Sequence, residues 1–239
     1  KLIGYFKMKV KIIVMHGNGI SERGYNACRR SARKANGPAF WMNIFKAIRP
    51  WEIEDLQQKY GLSYTYPTKE PRIDLSSGLS LSPYVGSTDT RIACFFSHYL
   101  LWKECVDTQE HFLILEHDAE FVNLSNFEHL ENSKYQIIGI NDPRGATRRS
   151  QEYHNLVQAS NYAIAPPPYI DDIHVPQGLA GNSAYYIKPL GAQKLIELVD
   201  QHGIWPNDAI MCKQLLPGLL GQIKNYYTKV QGLVSTTTT

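Results

Sequence analysis

Along the chain, apolar residues gather in short clusters whose spacing switches between the period of a strand and that of a helix. Lys9 to Met15 (KVKIIVM) is rich in β-branched residues and opens with alternation, which predicts a buried strand, and His16-Gly17-Asn18-Gly19 predicts a tight turn after it. With Ser21 as its cap, a helix is expected through Asn36, where Gly37-Pro38 stops it. Phe40 to Ile48 reads as a second strand. Between Gly61 and Thr90 glycine, serine and proline dominate with no lasting period, which predicts a long irregular connection over the surface. From Thr90 to Asp107, Phe95, Tyr99, Trp102 and Val106 recur at three- and four-residue steps, the pattern of a helix with one buried stripe.

Two apolar strands follow, Phe112 to Leu115 and Tyr135 to Ile140, and both run into polar residues: Glu116-His117-Asp118-Ala119-Glu120 after the first, Asn141-Asp142 after the second. In open α/β sheets ligands bind beyond the carboxyl ends of the strands, so these acids are candidates for chemistry. Pro143 to Gly178, with Arg144, Arg148 and Arg149, sustains no period and is expected to be a substrate loop. Ser183 to Lys188 predicts a further strand, and Pro189 opens a helix in which Leu195, Leu198, Val199 and His202 share a face before Gly203 ends it. A short segment begins at Trp205-Pro206-Asn207-Asp208. Residues 8–225 are expected to form one domain, 1–7 to be an extension ahead of a start at Met8, and 226–239, ending in Thr236 to Thr239, to be a loose tail.

Composition narrows the class. The 239 residues are 43% hydrophobic and 20% charged, with a mean hydropathy of -0.32, which fits a globular chain and excludes a disordered one. No apolar run reaches the roughly 18 residues of a spanning helix, so no integral membrane segment is expected. The formal net charge of +3 is too small to imply nucleic acid by itself, although a sequence pI near 8.6 suits an anionic ligand. The four cysteines lack C-x-x-C spacing, so no disulfide framework or zinc ribbon is read. Leu2 to Phe6 is too short for the apolar core of a signal peptide, and a reducing, cytoplasmic setting is the expectation, which leaves the sequon Asn123-Leu124-Ser125 without meaning.

The chemistry that the residues permit is open at several places. In an extended segment Glu116 and Asp118 point to the same side, and two carboxylates so placed can hold Mg²⁺ or Mn²⁺. The same spacing describes a solvated acidic turn. His16-Gly17-Asn18-Gly19 offers backbone amides to a phosphate, but Glu22 falls where the third glycine of G-x-G-x-x-G would stand, and a plain turn explains it as well. Arg23, Arg29, Arg30 and Arg33 make one helix strongly basic, fit either for a diphosphate or anionic acceptor or for solvent. Cys94 and His98 have the four-residue spacing metals use, yet no second pair accompanies them and core packing is expected for both. No G-x-S-x-G elbow, P-loop or kinase signature is present.

Several blocks together resemble glycosyltransferase family 25, which includes bacterial lipooligosaccharide glycosyltransferases and procollagen galactosyltransferases. Arg91-Ile92-Ala93-Cys94-Phe95-Phe96-Ser97-His98-Tyr99-Leu100-Leu101-Trp102, then Phe112-Leu113-Ile114-Leu115-Glu116-His117-Asp118-Ala119, is similar to the family's S-H-containing helix and its strand running into L-E-D-D-A. Ser21-Glu22-Arg23 with Phe45-Lys46-Ala47-Ile48 resembles the start of the family domain. Gly181-Asn182-Ser183-Ala184-Tyr185-Tyr186-Ile187 with Gly191-Ala192-Gln193-Lys194-Leu195 resembles its G-T-x-A-Y-x-I…G-A-x-K-L segment. The blocks keep the family's order from Lys9 to Met211. Two positions depart: His117 replaces the first aspartate of L-E-D-D-A, which puts the metal site in doubt, and Ala93 stands where glycine is frequent.

The resemblance implies a single GT-A-like α/β domain, a mixed and mostly parallel sheet flanked by helices, that transfers a sugar from a nucleotide donor, UDP-linked by similarity. It implies inversion at the anomeric carbon with Mn²⁺ or Mg²⁺ held by Glu116, His117 and Asp118. Asp208, in the segment matching the family's P-x-D, and Glu120 are the expected catalytic acids or bases, although Asp208 ahead of an apolar run also reads as a helix cap. His16, Asn18, Arg23, Ser97, His98, Glu116 and Asn182 are expected at the donor, and Asp142, Arg144, Arg148 and Arg149 at the acceptor. A saccharide such as lipooligosaccharide is the expected acceptor. The arginines leave room for hydroxylated bases in DNA, and His117 leaves room for a degenerate domain that binds sugar or nucleotide without turnover.

Overall fold

A computed structural model describes residues 8–145 and 149–233. Strand β1 (Met8–Val14) leads into helix α1 (Gly19–Asn36), and β2 (Asn43–Lys46), α2 (Ile53–Tyr60) and the short hairpin of β3 (Arg72–Ile73) and β4 (Ser80–Leu81) follow. Helix α3 (Thr88–Thr108) precedes β5 (His111–Glu116), β6 (Ala119–Phe121), the short α4 (Phe127–Glu131) and β7 (Ile137–Gly139). Then come α5 (Ser150–Ala159), β8 (Ile164–Ala165), β9 (Ala184–Ile187), α6 (Pro189–His202), α7 (Asn207–Ile210), β10 (Leu220–Ile223) and β11 (Thr228–Val230).

Seven strands form one sheet in the order β2-β1-β5-β9-β7-β10-β8. Their pairings leave five strands running one way, with β9 and β8 opposed. Because successive side chains of a strand face opposite sides, each strand feeds two cores. Ile13, Phe112, Ile114, Tyr185 and Ile187 face α3 and α6. Val10, Ile12, Val14, Leu113, Leu115 and Tyr186 face Cys28 and Ala32 of α1 and Tyr153 and Val157 of α5. Burial on both faces is why β5 reads as an unbroken apolar run rather than an alternation.

Several expectations need correction. Helix α1 is capped by Asn18, whose side chain accepts from the Ile20 and Ser21 amides at 3.0 Å, while the Ser21 hydroxyl accepts from the Met15 amide. The strand expected over Phe40 to Ile48 is confined to Asn43–Lys46. Helix α3 does not bury one stripe; from Ile92 to Cys105 it is enclosed on most sides by the sheet, α2 and α6, and Val106 is only half-buried. The stretch 143–178 holds a ten-residue helix, α5, anchored by Tyr153 and Val157, whose few apolar residues set no sustained period in the sequence. The tail expected to be loose from residue 226 is built in as far as Leu233: β11 pairs antiparallel with β6, and Tyr226 and Tyr227 are buried.

That tail matters for the site. Gln231 donates its amide to the Asp118 carbonyl at 2.9 Å, and its side-chain nitrogen reaches the carbonyls of Gly24, His117 and Ala119. On the other side, a Cβ on Gly24 would meet the His117 carbonyl at 2.8 Å, so a residue without one is needed for α1 to pack this closely. The turn between β5 and β6 is therefore fixed by two segments remote from it in sequence.

Candidate active site

The carboxyl ends of β1, β2 and β5 lie side by side, with Ile13 opposite Glu116 and Val14 opposite Lys46. Here the backbone leaves the sheet and frees side chains, and a cleft opens lined by Met15, Ala47, Ile48, Glu116 and His117, with Cys94, Ser97 and His98 of α3 forming a wall. The four-residue periodicity of α3 places Cys94 and His98 on the same face.

Glu116 is held by a buried chain of hydrogen bonds. The Trp102 indole can only donate, and does so to the Tyr185 hydroxyl at 2.8 Å; Tyr185 also lies 2.8 Å from His98 Nδ1, and His98 Nε2 lies 3.1 Å from Glu116 Oε1. Since a carboxylate only accepts, the roles run in one direction: Trp102 to Tyr185, Tyr185 to His98, His98 to Glu116. His98 is fully buried, whereas the Glu116 side chain keeps 27% exposure to the cleft. Burial pushes the Glu116 carboxyl upward, but the hydrogen bond from His98, with the imidazoles of His98 and His117 adding in the same direction, outweighs it, and the net shift is downward.

Asp118 behaves oppositely. Burial first, and then the charge of Glu116, raise its carboxyl to about 7, only partly offset by a hydrogen bond with Ser183. Its Oδ1 is buried without a hydrogen-bond partner, and so are both amide atoms of Asn182 beside it in the chain before Ser183. Unsatisfied buried polar atoms are uncommon and call for a ligand or solvent. The divalent cation implied by the family resemblance fits these residues: an orphaned carboxylate oxygen on Asp118 under pressure from the Glu116 charge is the oxygen donor that Mg²⁺ or Mn²⁺ takes. His117 is half-buried, its imidazole pushed downward by burial against the opposing charge of Glu116, with its ring edge against Gly24. Among the described residues, the group of three ligand atoms lying within 4.8 Å of one another is Cys94, His98 and Glu116, rather than Glu116, His117 and Asp118.

Asp208 lies in the first turn of α7, and the cap of that helix is Pro206, so the capping reading does not hold. The residue is exposed overall, yet burial of its carboxyl by neighbouring protein raises it, and the charge of Glu116 adds to the rise; a hydrogen bond from Tyr84 and the charge of Arg91 oppose it. Asn207 Oδ1 is 3.8 Å from Cys94 Sγ, which ties α7 to the cleft wall.

Other expected residues are placed elsewhere or already engaged. Glu120 sits on β6 in an ion pair with Lys229 at 3.3 Å, outside the lining of the cleft. Asn18 is the α1 cap, and the Gly17 amide is taken by Glu22, so the turn offers fewer free amides to a phosphate than its sequence suggested. His16 and Arg23 are exposed; the His16 carbonyl accepts from Arg49. Ser97 lines the cleft, but its hydroxyl donates to the Ala93 carbonyl and accepts from the Ile48 amide, pinning β2 to α3. In the expected acceptor group, Arg144 forks onto Asp142 and Arg149 onto Glu152, and Arg148 lies outside the described residues. Arg29 and Arg33 line a separate groove with Trp41 and Ile44.

Sequence reading missed Arg49 and Arg91. They flank lining residues Ile48, Pro50 and Thr90, and each has a buried Nε without a partner. Arg49 stacks 4.7 Å over Trp51 and Arg91 4.5 Å over Tyr84. Arg91 stood inside the block matching the family's helix, but a lone arginine among apolar residues carried no pattern of its own.

Residues 39–211 match the model for glycosyltransferase family 25 (LPS biosynthesis protein), and the chain belongs to that family. Curated protein sequences give no match. Among solved structures, apo mouse xyloside xylosyltransferase 1 aligns with a TM-score of 0.48 and 9% identity, over 89% of this chain and 83% of that one. The glycosyltransferase GlyE of Streptococcus pneumoniae TIGR4 aligns with a TM-score of 0.40 and 13% identity over 91% of this chain, which spans 46% of GlyE. No helix of the described residues is long and apolar enough to cross a membrane.

Proposed function

We propose that this glycosyltransferase moves a sugar from a uridine diphosphate donor to a saccharide hydroxyl, inverting the anomeric carbon, in the cleft between β1, β2, β5 and α3. The observation that carries this reading is the buried Trp102–Tyr185–His98 chain, which orients Glu116 into the cleft, within range of the charge of Asp208. Pre-set polar groups of this kind favour developing charge without reorganisation during the reaction. Arg49 and Arg91, with unspent Nε donors, are suited to the donor diphosphate, and the unpaired amide of Asn182 to the donor as well. A divalent cation on Glu116 and Asp118 would neutralise charge on the departing diphosphate.

Asp208 is the base. Its raised carboxyl is a better proton acceptor than an ordinary aspartate, and Tyr84 orients it. As the acceptor oxygen attacks the anomeric carbon, Asp208 takes the hydroxyl proton, the bond from that carbon to the diphosphate oxygen breaks, and its electron pair leaves with the diphosphate. The family's description as lipopolysaccharide biosynthesis proteins supports a saccharide acceptor.

Calorimetric titration of UDP, with and without Mn²⁺ or Mg²⁺, tests the donor site in wild type and Asp118→Ala. Affinity should rise with metal in wild type and lose that dependence in the variant. An unchanged metal response in Asp118→Ala removes Asp118 from the site. A panel of nucleotide sugars assayed for metal-dependent hydrolysis then tests turnover; binding without turnover of any of them would mark a degenerate domain.

A further inference from the structure

Three side chains in the cleft wall have a chemistry that sugar transfer does not use together. Cys94 and His98 stand one turn apart on α3, Glu116 reaches them from the end of β5, and the thiol sulfur, an imidazole nitrogen and a carboxylate oxygen all lie within 4.8 Å of one another. We propose that Cys94, His98 and Glu116 form a binding site for a thiophilic divalent cation of the zinc class, distinct in ligand chemistry from the all-oxygen site of Glu116 and Asp118.

The His98–Glu116 edge of the group suits a tetrahedral site, and the sulfur lies within 4.8 Å of both atoms. Bond lengths of about 2.0–2.3 Å to sulfur, nitrogen and oxygen put neighbouring ligand atoms about 3.3–3.6 Å apart. His98 Nε2 and Glu116 Oε1 are already 3.1 Å apart, so the edge they share needs almost no adjustment. The Cys94 thiol also lies 3.8 Å from Asn207 Oδ1, and a water could fill a fourth position. Glu116 and Cys94 are both partly open to the cleft, which gives an ion a route in. Burial first, and then the charges of Glu116, Asp208 and Asp118 against that of Arg91, raise the Cys94 thiol well above its ordinary value, so the sulfur is a thiol until a cation displaces its proton, and the surrounding negative charge favours that cation.

The second shell is present too. A ligating histidine commonly uses its other ring nitrogen to hold its orientation, and His98 Nδ1 has Tyr185 at 2.8 Å. On binding, the Cys94 thiol releases its proton to solvent and the sulfur lone pair goes to the ion. The His98 proton passes from Nε2 to Nδ1, where it is donated to the Tyr185 oxygen, and the Tyr185 hydroxyl gives up its own acceptor. Sulfur and imidazole select zinc-class ions, whereas Mg²⁺ prefers oxygen alone. An ion held here takes Glu116 out of its hydrogen bond with His98; on the donor-site reading above, which this consequence alone rests on, it would inhibit transfer.

The test is cobalt spectroscopy on the full chain. Co²⁺ added to wild type should produce a thiolate-to-cobalt charge-transfer band in the near ultraviolet together with the visible bands of a tetrahedral ion, and Zn²⁺ should bleach both while Mg²⁺ should not. Cys94→Ser should abolish the charge-transfer band, and Cys212→Ser, with folding checked by circular dichroism, should keep it. X-ray absorption of the zinc-loaded wild type should show one sulfur among nitrogen and oxygen neighbours, a readout independent of any variant's folding. Absence of a thiolate band, its survival in Cys94→Ser, or a sulfur-free zinc shell each overturns the site. UDP titration with Mn²⁺ on wild type keeps the two readings apart: metal-linked UDP binding in a wild-type protein that gives no thiolate-to-cobalt band leaves the donor site standing and removes this one.

Discussion

At the scale of single residues, the site is set by which polar groups are paired and which are left waiting. Glu116 is spoken for by His98, while Asp118, Asn182, Arg49 and Arg91 each keep a buried atom without a partner. Asp208 differs from these in being an exposed residue whose carboxyl takes a hydrogen bond from Tyr84. Its role as base predicts that Asp208→Asn lowers kcat by about 10²–10⁴-fold while leaving the UDP dissociation constant nearly unchanged, because a general base acts on the acceptor proton and not on donor binding. Steady-state kinetics paired with calorimetry decide it. A loss confined to donor affinity would transfer Asp208 from the chemistry to binding.

At the scale of elements, helix starts and turns carry more of the site than the strands do. The His16-Gly17-Asn18-Gly19 turn offered two readings in sequence, a phosphate cradle or a plain turn, and the structure fills its capping role: Asn18 supplies both hydrogen bonds to the first amides of α1. Replacing an N-cap asparagine by alanine costs about 0.5–2 kcal/mol. Asn18→Ala should therefore lower stability in chemical denaturation by about that amount, and Asn18→Asp should recover most of it. Little change in Asn18→Ala would mean that Ser21, the cap expected from sequence, suffices after all.

At the scale of the whole molecule, the long connection from 61 to 87 behaves as a strap. Ser76 and Asp74 reach His202 at the end of α6, and Thr65 accepts from Trp205, so the segment that presents Tyr84 to Asp208 is tied to the α6–α7 junction. Burial raises the Asp74 carboxyl, but hydrogen bonds from Ser77 and Ser76 and the charge of His202 overcome it, and the net shift is downward. A carboxyl depressed in the folded state stabilises fully above its unfolded value and loses that contribution as pH falls through the folded one. Asp74→Asn should thus be less stable than wild type near neutrality, and the gap should close below about pH 4, the ordinary aspartate range. Denaturant midpoints measured across pH would show it; a gap independent of pH would assign the effect to the lost geometry of the turn instead of to charge.

What the sequence determined by itself was whatever depends on neighbours in the chain. The period of Lys9 to Met15, the apolar run Phe112 to Leu115 ending in acids, and the Pro189 start with Gly203 stop are local signals, and they held as β1, β5 and α6 because each element buries the face its period exposes. The matching blocks in order named the family for the same reason. Tertiary structure alone decided which groups meet. Trp102, Tyr185, His98 and Glu116 come from α3, β9 and the end of β5, and only the antiparallel insertion of β9 beside β5 puts the Tyr185 hydroxyl between the indole and the imidazole. Cys94 and His98 looked like core packing because their third partner, Glu116, is a neighbour only in space. The paired arginines of 144 and 149, the Glu120 ion pair and the built-in tail were equally out of reach: a charge run shows in sequence how many charges there are, and the fold determines which of them are already neutralised.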